Sequence, residues 1–138
     1  MRTIDTIQIG DSASFTKTVT EADIILYAGI SGDFNAAHMD AESAKNGMFG
    51  QRIAHGMLSA GFISNVLGNQ LPGPGTIYMG QELRFVKPVF IGDTVTATVT
   101  VKEKIEEKNR LKLDTVVTNQ RGEAVITGIA TVMPPKKV

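Results

Sequence analysis

The chain has 138 residues, 14 basic side chains against 14 acidic ones, no cysteine and no tryptophan. That length suits one domain, residues 1–138, able to bury roughly two-thirds of its unfolded surface, and the missing cysteine excludes disulfides, thiol nucleophiles, iron–sulfur clusters and cysteine zinc sites. With two histidines a histidine-rich metal site is not expected, and zero net charge leaves no electrostatic footprint for nucleic acid or an anionic membrane.

No apolar run of the kind a signal peptide carries follows Met-Arg-Thr-Ile-Asp-Thr at the start. The most apolar stretch, 53–67, is shorter than the roughly 20 residues of a membrane span, and Ser59, Ser64 and Asn65 interrupt it. A cytoplasmic protein is expected.

Residues 13–19 predict a first strand, entered from a turn at Gly10-Asp11. Thr20, followed by Glu21 and Asp23, supplies a capping hydroxyl and two carboxylates at a helix start. Ile24, Leu26, Tyr27 and Ile30 carry that helix to Ser31, and Gly32 is placed to end it. Residues 32–39 read as loop. Asp40 caps a brief helix through Ala44, closed by Gly47 and Gly50. A second helix over 55–69 has apolar residues around most of its circumference, the mark of a helix surrounded by protein. It is only about 22 Å long.

Pro72-Gly73-Pro74-Gly75 breaks the chain, and strands follow. Over 93–106, Val95, Ala97, Val99 and Val101 alternate with threonines, so one face of a strand is apolar. Extended, that segment reaches roughly 45 Å, about twice the helix, and must curve. Turns at 108–110 and 119–122 lead into strands over 111–118 and 123–133, and Pro134-Pro135 stops the last. Adjacent strands joined by short turns make an antiparallel meander. An α+β hot-dog fold is expected, in which a long curved antiparallel sheet wraps a central helix.

Reactive side chains concentrate in Ser31-Gly32-Asp33-Phe34-Asn35-Ala36-Ala37-His38-Met39-Asp40. A carboxylate and an imidazole that share a water form a minimal device for moving protons. Equally, Asp33 can cap a turn and His38 can be a loop histidine. Ile53-Ala54-His55-Gly56-Met57 opens the central helix, where backbone N–H groups are unpaired and carry the positive end of the dipole. Gly56, without a side chain, would let a ligand carbonyl approach its N–H, or would simply permit tight packing. His55 suits a structural hydrogen bond better than catalysis. Ser64 can bond the carbonyl four residues back or face the Asp33–His38 loop.

These residues resemble a family. Tyr27-Ala28-Gly29-Ile30-Ser31-Gly32-Asp33-Phe34-Asn35, His38-Met39-Asp40, Ala44, Phe49-Gly50 and Ile53-Ala54-His55-Gly56-Met57 are similar to the MaoC-like hydratase motif. Gly80-Gln81, Phe85, Pro88-Val89 and Gly92-Asp93 resemble that family's first long strands, so the similarity spans nearly the whole chain. A single short hot-dog domain is most similar to the R-specific enoyl-CoA hydratases, which supply (R)-3-hydroxyacyl-CoA, often for polyhydroxyalkanoate synthesis. The resemblance implies that Asp33 and His38 hold the water added across a 2-enoyl thioester. It further implies that the Gly56 N–H holds the thioester oxygen, that Ser64 lies near the active site, and that Asn35 orders the catalytic loop. Where the family usually has proline after the asparagine, this chain has Ala36; that loosens the loop and removes no reactive group.

Coenzyme A would enter only as part of an acyl-CoA substrate, with no cofactor or metal, and a homodimer would cover the sheet edge and apolar face that one unit exposes. Arg84 and Lys87 are basic strand residues that could meet coenzyme A phosphates, although solvated surface charges explain them equally simply. A hot-dog acyl-CoA thioesterase or a non-catalytic acyl-CoA binding module is the alternative. Many such thioesterases carry a carboxylate on the central helix, and here no Asp or Glu occurs between His55 and Asn69.

Overall fold

The computed structural model describes residues 2–137; Met1 and Val138, the ends of the expected 1–138 unit, lie outside the described residues. The elements run β1 (Ser12–Thr18), α1 (Glu21–Ser31), α2 (Ala36–Met39), α3 (Ala41–Lys45), α4 (Gly56–Asn69), β2 (Ile77–Phe85), β3 (Thr94–Ile105), β4 (Arg110–Thr118) and β5 (Ala124–Met133). Short 3₁₀ turns lie at Ile4–Thr6 and Glu106–Lys108.

Local chemistry sets the helix ends. Thr20 and Asp23 form a reciprocal capping box at the start of α1, satisfying two otherwise orphan N–H donors. Gly32 closes α1 in the left-handed region at φ 79°, where a side chain would be strained. Asp40 caps α3 by accepting from the Ser43 N–H at 3.0 Å. The stretch read as loop over 32–39 contains instead the one-turn helix α2. Asn35 is its cap, accepting from the Ala37 N–H at 2.9 Å, and composition alone gave no apolar period to reveal so short an element.

The sheet is antiparallel, ordered β1-β3-β4-β5-β2. Its centre is the expected meander. The alternation in β3 has the expected sense, with Val95, Ala97, Val99 and Val101 fully buried, and a register shift between Val101 and Glu103 bends the strand. The element order sends the early strands to the edges: β1 pairs with β3, and β2 pairs with β5. Helix α4 packs across the sheet against β3 and also meets β1, β2 and β4. Its Ile63, Val66 and Leu67 are buried in the main core with Leu111, Leu113 and Ile126, and each such side chain contributes about 1.5–3 kcal/mol through burial.

The helix is not enclosed on all sides. Met57 is 53% exposed, and Gly61 and Ser64 also face outward. Among the described residues no helix is long and apolar enough to cross a membrane.

Candidate active site

Three segments are clipped together at the N-terminal end of α4. The Ile53 N–H donates to the Ala37 carbonyl at 3.1 Å, and the Ala54 N–H donates to the Val89 carbonyl at 2.7 Å. Arg52 adds a side-chain clip: its Nε donates to the His38 carbonyl at 2.6 Å while its guanidinium pairs with Glu21 at 2.9 Å. Sequence reading missed Arg52, because a single arginine outside any motif carries no local sign that it holds a distant peptide.

Within this frame His38 is oriented by its Nδ1, which donates to the Ile53 carbonyl at 2.7 Å. A carbonyl can only accept, so Nδ1 carries hydrogen and the neutral ring leaves Nε2 as an acceptor. Asp33 lies exposed beyond the end of α1. Its N–H donates to Ser31 Oγ at 3.1 Å, and its Oδ1 accepts from the Asn35 N–H at 3.1 Å. Asn35 thus has a double part in the loop, receiving Asp33's clasp and capping α2.

The second histidine, His55, is buried at 3% exposure as the N-cap residue of α4. Its Nε2 donates to the Asp33 carbonyl at 2.9 Å, the structural hydrogen bond expected of it. Its ring stacks on that of His38, with centroids 3.9 Å apart and planes inclined by 29°. One ligand-capable atom from each of Asp33, His38 and His55 lies within 4.8 Å of the others. These three do not fit a shared metal ion. An imidazole binds metal in its ring plane at about 2.0–2.1 Å, and two planes so nearly parallel do not meet that close to both rings.

Beside His38 opens a cavity of 370 Å³, lined among others by Phe49, Gly56, Met57, Ser59 and Phe85. Its wall is mostly apolar, as suits an acyl chain. Gly56 is the first residue of α4, and a Cβ there would lie 2.6 Å from Phe85 Cδ1, so only glycine leaves this corner open. Ser59 also lines the cavity, fully buried, with its Oγ lacking a hydrogen-bond partner among the described residues. Sequence reading noted it only as a break in the apolar run. Its position one turn after Gly56, on the same helix face, is the signal that could have marked it.

Ser64 stands apart from the pair. Within this protomer it does not join Asp33 and His38; it lies on the exposed flank of α4, in a groove with Tyr78, Met79 and Leu83. The five residues from Ser59 to Ser64 carry the helix about 140° past one full turn, which rotates Ser64 away from the face that carries Gly56 and Ser59. The two basic candidates also separate. Arg84 is exposed on β2, whereas Lys87 lines the cavity with its ammonium 2.5 Å from Glu123. Lys87, with Asn119 and Arg121, draws the Glu123 carboxyl down to about 2.

Ala36 occupies the first position of α2, where proline's fixed φ and missing N–H are tolerated. Asn35 ahead of it has φ −52° and ψ 137°, compatible with a following proline. Ala36→Pro is therefore expected to stabilise the fold by about 0.4–1 kcal/mol, chiefly by restricting the unfolded chain. In thermal denaturation this reads as a rise in Tm of about 1–4 °C, with activity retained. A lowered Tm would mean that α2 tolerates less than its cap geometry indicates.

The MaoC like domain family matches residues 6–123. The chain is 55% identical over 131 residues to an (R)-specific enoyl-CoA hydratase of Rhodospirillum rubrum, covering 95% of this chain and 90% of that one. It is 42% identical to the (R)-specific enoyl-CoA hydratase of Aeromonas caviae, covering 94% and 96%. Among solved structures, the unliganded R-hydratase PhaJ1 from Pseudomonas aeruginosa superposes with a TM-score of 0.92 at 44% identity, covering 98% of this chain and 86% of that one. With a matching model over most of its length and relatives this similar from end to end, the chain belongs to the MaoC-like domain family.

Proposed function

We propose that this protein is an (R)-specific enoyl-CoA hydratase, a hydro-lyase that adds water syn across a trans-2-enoyl-CoA to give (R)-3-hydroxyacyl-CoA. The observation that carries the reading is a carboxylate within 4.8 Å of an oriented imidazole, where that imidazole and a helix N-terminus both line one apolar cavity. The high identity to two hydratases of this name supports it over most of the chain.

The water donates its two O–H groups, one to the Asp33 carboxylate and one to His38 Nε2, so an oxygen lone pair faces C3. As the C3–O bond forms, the π electrons of the C2–C3 bond shift toward the thioester and negative charge gathers on its oxygen. The Gly56 N–H, at the positive end of α4, stabilises that oxygen by roughly 3 kcal/mol, the scale of other oxyanion donors. One water proton passes to the Asp33–His38 pair, and the pair delivers a proton to C2 on the same face. Atoms and charge balance with one water consumed. No metal or redox cofactor enters, and coenzyme A is present only as part of the substrate.

The working unit we assign is a homodimer in the cytoplasm. Among the described residues one ladder edge of β2 has no partner strand, and Ile77, Tyr78, Met79 and Phe85 along β2 are all at least 39% exposed, as is Met57 on α4. A second copy over this surface would also cover the groove that holds Ser64. Sedimentation should give twice the chain mass of 14.8 kDa; a monomer would remove the dimer from the proposal.

The decisive assay is loss of enoyl-thioester absorbance when crotonyl-CoA is added, with chiral analysis of the product. (R)-3-hydroxybutyryl-CoA is the expected product. Steady release of free thiol without hydration would establish a thioesterase, and binding without turnover would establish an acyl-CoA binding module.

A further inference from the structure

Between the two residues given the chemistry lies a third that the reaction does not touch. His55 is bonded in sequence to Gly56, stacked face to face on His38, and hydrogen-bonded to the peptide of Asp33. One buried ring therefore contacts or adjoins each of the three groups on which the hydration rests. The ring also meets Tyr27 of α1, with centroids 4.7 Å apart and planes inclined by 52°.

The hydrogen bond matters because of how little else holds Asp33. The loop residues 32–35 are tied mainly to their neighbours: Gly32 N–H to Ala28, Asp33 N–H to Ser31, and Asn35 N–H to Asp33. Among the described residues, the bond from His55 Nε2 to the Asp33 carbonyl, 22 positions apart, is the one hydrogen bond linking this loop to a distant segment. His38, by contrast, is clipped through both its ring and its carbonyl. Asp33 would otherwise hang from the end of α1 as an exposed turn.

The tautomer is fixed by the same contact. Nε2 donates to a carbonyl, so it carries hydrogen, and the buried Nδ1 has no partner among the described residues. The ring is thus used from one nitrogen only. A histidine needed just to fill space would be served as well by an apolar ring, without burying a polar nitrogen that finds no partner.

We infer that His55 is a positioning residue for the hydration: through its Nε2–H it sets the distance of the Asp33 carboxylate from His38 and from the Gly56 N–H. This rests on the reading of Asp33 and His38 as the groups that hold the water. Displacing a reacting group by about 1 Å can cost about 100-fold in rate, and that is the scale the inference predicts.

Two variants separate positioning from packing. His55→Phe keeps an aromatic ring against Tyr27 and His38, loses no bond at Nδ1, and removes only the donor to Asp33. His55→Gln loses the ring and places an amide N–H at about the reach of Nε2. With crotonyl-CoA, His55→Phe should lower kcat about 100-fold with KM within about threefold and Tm within a few degrees of the parent. His55→Gln should recover at least about tenfold of that loss. A His55→Phe protein with near-parental kcat overturns the inference, as does a folded His55→Gln no more active than His55→Phe. If the Phe variant does not fold, the Gln variant decides alone: kcat within about tenfold of the parent supports the inference, and a deeper loss in a folded protein overturns it. Failure of the underlying reading looks different: the parent protein would not hydrate crotonyl-CoA, or Asp33→Asn would remain active, and the inference would fall with it.

Discussion

Asp33→Asn and His38→Gln should each lower turnover of crotonyl-CoA by about 10²–10⁴-fold, the range lost with a general acid or base. The two substitutions remove chemistry with little cost in structure. Asparagine at 33 keeps an oxygen for the Asn35 N–H and leaves the main-chain bonds to Ser31 and His55 unchanged. It lacks the charge that accepts the water's proton. Glutamine at 38 gives up the Nδ1 bond to Ile53, a net cost of about 0.5–1.5 kcal/mol. Denaturation curves should therefore shift by a few degrees while activity falls by orders of magnitude. Turnover within about threefold of the parent in either folded variant would remove the pair from the mechanism.

Gly56→Ala carries the second large effect. The new Cβ would sit 2.6 and 2.7 Å from Phe85 Cδ1 and Cε1, closer than real Cβ contacts come. Phe85 ends β2 and is 53% exposed, so its ring can swing away instead of unfolding the helix start. Overpacking of this kind costs about 1–3 kcal/mol. The displaced ring and the new methyl both crowd the approach to the Gly56 N–H, and the loss expected for an oxyanion donor is about 10²–10³ in kcat. A double variant, Gly56→Ala with Phe85→Ala, separates the causes. If turnover returns when the ring is removed, the damage came from Phe85 filling the cavity. If it stays low, access to the N–H is what was lost. A fully active Gly56→Ala protein would show that no substrate oxygen needs that corner.

Much of the fold was legible because its signals are carried by near neighbours. Thr20 and Asp23 meet within one turn, Gly32 stops its helix through its own backbone, and the valines of β3 declare a buried face by alternating with threonines. Asp33, His38 and Gly56 stood out by residue type and by the motif they share with a family. Less was readable at the edges. Strand β2 is an edge strand whose Ile77–Phe85 shows no clean alternation, and it exists by virtue of its pairing with β5, with an irregularity between Tyr78 and Gly80. Helix α2 rests on a single asparagine cap.

Ser59 and Ser64 show the same division inside one helix. Both interrupt the same apolar run, yet one is sealed against the cavity and the other faces outward. Their spacing states that they occupy different faces, and only the position of the sheet says which face meets the site. Residue order was enough to specify the capping, the strand alternation, the glycine at the helix start and the types of reactive group, because each depends on contacts within about four positions along the chain. The meeting of Asp33, His38, His55 and Gly56, the clip made by Arg52 and the outward turn of Ser64 depend on how α1, α2 and α4 pack together. That packing is set by burial of α4 against the sheet, a non-directional force summed over residues far apart in sequence.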